Sequence, residues 1–109
     1  MQACSPEEIA VSAVVVYELE CGNLRSKSPQ RTRQVRTVLD AVQIIPFDHK
    51  AAHAAARIYT DLAAKGFLIG PMDLLIAGTA FSRNAVLATD NVREFARVKG
   101  LRLENWRQG

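Results

Sequence analysis

The chain has 109 residues, 49% of them hydrophobic, and carries 14 lysine and arginine against 11 aspartate and glutamate side chains, a formal net charge of +3. This length predicts a single domain over residues 1–109 that buries a core without disulfide or metal staples. No run of 18 apolar residues and no signal-peptide pattern is present, so the sequence indicates a cytoplasmic protein with no membrane contact. Cys4 and Cys21 lack CxxC spacing and are expected to be reduced.

The first elements of the chain place an acidic residue on a helix. Residues 9–13 are a compact apolar run typical of a buried strand, and Ser12 is placed to cap a helix over residues 14–22. Gly22 is expected to end that helix. Glu18 lies within it, after the strand's carboxyl end, where its alternative interpretation is a solvated glutamate.

A basic cluster marks the next segment. Residues 30–41 have apolar side chains at i, i+3, i+4 and i+7, which predicts an amphipathic helix. Five positive charges precede the first acid of this region, Asp40. Such a cluster is typical of a surface that binds nucleic acid phosphates or an acidic protein, or is only a solvated face, and no aromatic residues interleave with it. Its members are Arg25, Lys27, Arg31, Arg33 and Arg36.

A longer helix follows a short strand over residues 43–47. Asp48 is placed to cap this helix and Gly66 to end it. His49 and His53 have metal-ligand spacing, but with no third nitrogen or sulfur ligand in sight they are more typical of a helix surface. A stripe of small and apolar residues predicts close packing on a neighbour. The stripe consists of Ala51, Ala54, Ala55, Ile58 and Leu62.

The stretch over residues 70–77 reads Gly-Pro-Met-Asp-Leu-Leu-Ile-Ala. Gly70 and Pro71 suit a helix start, because proline lacks the N–H that the first turn leaves unpaired. Asp73 then falls in the first turn, near the positive end of the helix dipole, where it is expected to stay ionised at little cost. The helix behind it is apolar on nearly every side, which predicts burial. A simple capping carboxylate is the alternative interpretation of Asp73.

The last part of the chain supplies another apolar strand over residues 85–88. The residues Thr89, Asp90 and Asn91 follow directly, and a short helical stretch over 92–95 and an alternating strand over 101–106 complete the chain. Strands that alternate with helices predict an α/β fold with a mainly parallel sheet and helices on both faces.

Three acids are expected to meet at one edge of that sheet. Glu18 and Asp90 follow strands and Asp73 opens a buried helix, and ligands of open parallel sheets bind at the carboxyl ends of the strands. Carboxylates in one cleft repel each other unless a cation binds there. Oxygen ligands without His or Cys suit Mg²⁺ or Mn²⁺, and phosphodiester hydrolysis by metal-activated water is the chemistry that uses them. No GxGxxG or GxxxxGK[ST] motif is present.

Motifs along nearly the whole chain resemble the PIN-domain toxins of the VapC family. The similarity implies a three-layer α/β/α fold and a Mg²⁺- or Mn²⁺-dependent endoribonuclease. It also implies the toxin role in a type II toxin–antitoxin pair, held by a VapB-like antitoxin and usually dimeric. The motifs are Ser12-Ala13, Tyr17 to Gly22, Ile69 to Ala77, Ala88 to Phe95, Val98 to Leu101, and Glu104-Asn105-Trp106.

The resemblance also implies roles for single residues. Glu18 matches the family's glutamate after its second strand, and Asp73 matches its central metal-binding aspartate. Asp90 is expected to be the fourth acid, although the family often places that acid two residues after the threonine, at Asn91 here. Thr89 matches the threonine that orients ligands or phosphate. The basic residues from 25 to 36 fall in the helical pair that relatives use for dimer and antitoxin contacts.

One family motif has no counterpart before Glu18. The family opens with a strand that ends in an Asp-Thr-Asn motif, whose Asp is a principal metal ligand. We therefore expect a PIN-like fold that is incomplete at its N-terminus, with reduced metal affinity and weak or absent nuclease activity. The alternative is a non-catalytic PIN-domain remnant that dimerises or binds an antitoxin. A strand missing from the sheet would leave edges open to association.

Overall fold

The structure is a computed structural model that describes residues 10–89 and 91–105. Its contacts divide the chain into two compact units, Met1–Pro46 and Phe47–Gly109, which are described in turn. No helix in the described ranges is long and apolar enough to cross a membrane. The elements are β1 (Ala10–Ser12), α1 (Ala13–Ser26), α2 (Pro29–Ala41), β2 (Gln43–Ile45), α3 (His49–Lys65), α4 (Pro71–Ser82), β3 (Val86–Thr89), α5 (Val92–Phe95) and β4 (Arg102–Asn105).

In the first unit, two helices connect a pair of parallel strands. β1 pairs with β2, with Val11 opposite Ile44. The Ser12 hydroxyl accepts a hydrogen bond from the Val14 N–H at 3.0 Å, which confirms the predicted cap. Ser28 caps α2 in the same way, by accepting from the Arg31 N–H at 3.3 Å.

The predicted end of α1 at Gly22 is wrong. The helix continues to Ser26 and ends at Lys27, whose φ of 56° is left-handed. Gly22 lies inside the helix, where an added Cβ would approach Nη2 of Arg31 to 2.9 Å. The glycine therefore gives room to a side chain of α2, an arrangement that the sequence around Gly22 does not reveal.

The second unit repeats the parallel pairing. β3 pairs with β4, with Leu87 opposite Leu103. Helices connect both strand pairs, which confirms the predicted α/β class with parallel strands. Within the described residues, the four strands form two separate two-stranded sheets rather than one continuous sheet.

Both predicted ends of α3 are confirmed. The Asp48 Oδ1 atom accepts a hydrogen bond from the Ala51 N–H at 3.0 Å, and its Oδ2 atom lies 3.4 Å from Nη2 of Arg83 on the solvent-exposed surface. Gly66 ends the helix with a left-handed φ of 73°. All five residues of the predicted small-residue stripe are buried.

That stripe packs against α4 at very short range. A Cβ added to Gly78 would lie 2.6 Å from Cβ and 2.8 Å from Cα of Ala55, so the two helix backbones are in direct contact there. On α4, residues 76–80 are consecutively buried, as the apolar pattern predicted. The core of the unit extends from this contact through Ile58, Leu62, Ile69, Ala77, Phe95 and Val98.

We expect Gly78→Ala to lower the melting temperature. Alanine is favoured over glycine in a helix by about 1 kcal/mol. Overpacking against a backbone that cannot yield costs about 1–3 kcal/mol, which outweighs that gain. The measurement is thermal unfolding followed by circular dichroism.

Gly22→Ala is the matched control, because it is also a helical glycine but meets only the flexible end of Arg31. Its melting temperature should equal or exceed that of the parent chain. A Gly78→Ala variant as stable as Gly22→Ala would contradict the close approach of α3 and α4.

Candidate acidic site at the start of α4

The start of α4 is built around a glycine that cannot cap it. Gly70 occupies the N-cap position without a side-chain cap, and Pro71 follows in the first turn as predicted. The Gly70 carbonyl accepts the first helical hydrogen bond from the Leu74 N–H at 2.9 Å. Asp73 is half-buried in this turn and makes no hydrogen bond within the described residues. Asp73 therefore does not cap α4 through a hydrogen bond within the described residues.

A second carboxylate, Glu94 on α5, reaches the same turn. Its Oε1 atom accepts a hydrogen bond from the Gly70 N–H at 3.0 Å, and its Oε2 atom accepts one from the Asn91 side-chain amide at 3.0 Å. On the other side of the glycine, the position of a Gly70 Cβ lies 3.6 Å from the Asp73 Oδ2 atom. The two carboxylates thus flank one glycine.

The pKa values of the two carboxyl groups are shifted in opposite directions. Burial raises the pKa of Asp73 above its ordinary value, and the negative charge of Glu94 raises it further. The hydrogen bonds from Asn91 and Gly70 lower the pKa of Glu94, with Arg97 adding to the effect. Ionisation of Asp73 is therefore opposed by burial and by a like charge, whereas the sequence alone indicates only the favourable helix dipole.

Thr89 and Asn91 form the turn that leads into α5. The Thr89 hydroxyl accepts a hydrogen bond from the Asn91 N–H at 3.0 Å, and Asn91 in turn binds Glu94. Thr89 is therefore linked to Glu94 through one residue. Asp90, the predicted fourth acid, lies outside the described residues.

The other predicted site residues lie in the first unit. Glu18 is exposed on α1. The five basic residues of the cluster, on α1, α2 and the connection between them, are also exposed, and Arg31 packs beside Gly22. None of these six side chains forms an ion pair within residues 10–89 and 91–105.

Glu94 is the residue that sequence reasoning missed. It stands three positions after Asn91, and an Asn followed at this spacing by Glu is the pattern of a capping box at a helix start. That pattern was available in the sequence. The hydrogen bond between Glu94 and Gly70, which are 24 residues apart, could not be predicted, because no local rule connects the two segments.

Two neighbouring carboxylates are oxygen donors of the type that a hard divalent cation prefers as ligands. Within the described ranges, no group of three or more His, Cys, Asp and Glu side chains is close enough to hold a metal. His49 and His53 are both exposed on α3. In the described second unit, Asp73 and Glu94 are the two acidic side chains that lie beside Gly70.

The sequence and the fold match a known class of protein. The model of the PIN domain family matches residues 2–101, and the chain belongs to this family. Ribonucleases of the PIN family generally depend on a divalent metal. The expectation of a PIN-domain fold is confirmed.

Within that class, the chain is similar to VapC ribonucleases. It is 39% identical over 99 residues to Ribonuclease VapC2 of Rickettsia felis, covering 90% of this chain and 74% of that protein. It is 36% identical over 99 residues to the tRNA(fMet)-specific endonuclease VapC of Salmonella typhimurium, covering 90% and 75%. A crystal structure of DNA-bound VapBC from Salmonella typhimurium superposes with a TM-score of 0.81 at 35% identity, covering 89% of this chain and 74% of that one.

The opposite pKa shifts predict opposite effects on stability. The raised pKa of Asp73 means that its ionised form destabilises the fold, and this cost appears as pH rises above the ordinary value of 3.8. Asp73→Asn should therefore raise the melting temperature at pH 7 in EDTA. The gain should disappear when the pH is low enough to protonate Asp73 in both folded and unfolded chains.

Asp48→Ala is the control of opposite sign. The pKa of Asp48 is lowered, chiefly by its bond to the Ala51 N–H, so its contribution to stability is present above pH 3.8 and is lost as pH falls through its folded value. This variant should melt lower at pH 7. Equal melting temperatures for Asp73→Asn and the parent chain at pH 7 would contradict the electrostatic description of the site.

Proposed function

We propose that the chain is a metal-dependent endoribonuclease that acts as the toxin of a type II toxin–antitoxin pair. The observation that carries the proposal is the pair of carboxylates on either side of Gly70, in a chain of the PIN family. Its relatives in Rickettsia felis and Salmonella typhimurium are named as a ribonuclease and a tRNA endonuclease. RNA is therefore the proposed substrate, and the cytoplasm, where RNA is made in bacteria, is the proposed location.

Asp73 and Glu94 are the proposed ligands in the second unit, and Mg²⁺ or Mn²⁺ is the proposed cation. The donor set fits these ions, because both groups offer carboxylate oxygens and neither pairs with a thiolate or imidazole. Asp73 is the better donor of the two, since its oxygens make no hydrogen bond in the described structure. Glu18 and Asp90 remain proposed ligands, with Asn91 as the alternative to Asp90.

When bound, the cation supplies a water of lowered pKa and neutralises charge on the phosphodiester. The residues of the chain contribute position and charge. Asp73 brings an ionised carboxylate whose repulsion by Glu94 a cation relieves. Glu94 holds Gly70 and Asn91 in place, and Thr89 fixes the Asn91 backbone, so the acidic turn is preorganised.

A VapB-like antitoxin is the proposed protein partner, and a homodimer is the proposed assembly. The DNA-bound complex from Salmonella typhimurium is a VapBC assembly, which supports a toxin–antitoxin pair for this chain as well. The exposed basic residues from 25 to 36 are the proposed contact for RNA or antitoxin. The second candidate function, a binding module without catalysis, is favoured by one observation: the described residues bring together two acids rather than three.

Cleavage of a structured RNA tests the proposal. In Mn²⁺ the parent chain should cut weakly, in line with its expected reduced metal affinity, and Asp73→Asn should reduce the rate to the level measured in EDTA. Because Asp73→Asn removes charge without volume, its melting temperature shows whether the loss comes from unfolding. Cleavage that survives Asp73→Asn would reject the acidic pair as the catalytic site, and antitoxin binding without any cleavage would favour the binding module.

Asn91→Ala tests the supporting role of the turn. The amide nitrogen of Asn91 donates to Glu94, so its removal should weaken Mn²⁺ affinity by about 10–100-fold, as is typical when a ligand is deprived of its hydrogen-bonding partner. The measurement is the Mn²⁺ concentration that gives half of the maximal thermal shift. A half-maximal concentration equal to that of the parent chain would show that Glu94 does not need this partner.

A further inference from the structure

A groove lies in the second unit at the opposite end of α4 from the acidic site. It has a volume of about 640 Å³ and runs between α3, the end of α4 and the loop after α5. Basic side chains form both walls, and the aliphatic side chains of the core form the floor. The cationic lining residues are Lys50, Arg57, Lys65, Arg97 and Lys99, joined by His49 and His53, with Asp61 as the acid.

The floor offers little apolar surface to a ligand. Ile58, Leu62 and Val98 are only 7%, 2% and 5% exposed, since the core already buries them. Phe81 differs, because 44% of its surface is exposed at the groove. A ligand in the groove therefore meets positive charges and one aromatic ring.

Most of these charges are not neutralised by the protein. Within the part of the chain that the structure describes, Arg57, Lys65 and Lys99 form neither an ion pair nor a hydrogen bond. Arg97 donates to the Leu68 carbonyl at 3.2 Å and lies 5.9 Å from the centre of the Phe67 ring. The groove thus concentrates five lysine and arginine side chains against one acid, Asp61.

We infer that this groove binds single-stranded RNA, with phosphates on Arg57, Lys65 and Lys99 and a base on the ring of Phe81. A positive groove with an aromatic platform is the combination that binds single strands. Charge complementarity favours a polyanion, because five lysine and arginine side chains line the groove against one acid, Asp61. The choice of RNA as the polyanion rests on the proposed function.

The position along α4 gives the groove a role in substrate placement. From Asp73 to Ser82 the helix rises about 13 Å, at about 1.5 Å per residue. RNA held in the groove is therefore anchored apart from the acidic turn but on the same rigid helix. Binding there adds affinity without touching the reacting phosphate.

The test measures binding of a fluorescein-labelled single-stranded RNA to the whole chain in EDTA, across a range of KCl concentrations. Arg57→Gln with Lys65→Gln should lower the affinity about tenfold at low salt. The slope of log affinity against log salt should become shallower by about 1.4, because each phosphate of a single strand that a cation neutralises accounts for about 0.7. Arg93→Gln with Arg102→Gln removes the same charge outside both the groove and the basic cluster of residues 25 to 36, and should leave the slope unchanged.

Phe81→Leu tests the aromatic contact. Leucine keeps apolar bulk but removes the stacking face, so the affinity should fall about fivefold with the salt slope unchanged. Melting temperatures of all variants show that they fold. Unchanged RNA affinity in the groove variants, or an equal change of slope in the variant of Arg93 and Arg102, would overturn the inference. A change of oligomeric state without a change in RNA affinity would overturn it in favour of an interface between two copies.

The two proposals fail separately, because binding is measured without a divalent cation. A chain that cuts RNA but binds it equally well without Arg57 and Lys65 retains the proposed function and loses the groove. A chain that binds RNA through the groove and never cuts retains the groove and loses the nuclease.

Discussion

The direct contact of α3 and α4 at Ala55 and Gly78 is the constraint on which the second unit depends. Because Gly78 has no Cβ, the backbone of α4 approaches both the backbone and the side chain of Ala55. Residues 76–80 of α4 are buried without interruption. The close contact with α3 holds α4 in place along its buried length. Its two ends, one acidic and one beside the basic groove, therefore keep a fixed separation.

The acidic end compensates for a weakness of its own sequence. Gly70 has no side chain to cap α4, and a helix start leaves backbone N–H groups without partners. Glu94 supplies an acceptor for the Gly70 N–H from another element, and this bond ties α5 to the start of α4. Asp73 is thereby released from capping, so its carboxylate is left for a ligand.

Local chemistry made most of the fold predictable. The caps at Ser12, Asp48 and Gly66 and the buried stripe of α3 follow from rules that act within one helical turn, and the structure confirms them. The end of α1 was mispredicted, since Gly22 responds to Arg31 from another helix. Glu94 was missed for the same reason, because its value to the site lies in a bond across 24 residues of sequence. Local patterns define elements, whereas contacts between elements define sites.

The two carboxylates at Gly70 differ in their hydrogen bonds and in the direction of their pKa shifts. Glu94 uses both oxygens as hydrogen-bond acceptors, and its pKa falls accordingly. The pKa of Asp73 is raised, because the carboxyl group is partly buried and lies near the negative charge of Glu94. A divalent cation would remove the repulsion and give the Asp73 oxygens a partner at once. The fold tolerates the ionised Asp73 because the packed helix behind it supplies stability, and this is the usual relation between a strained site and the core that supports it.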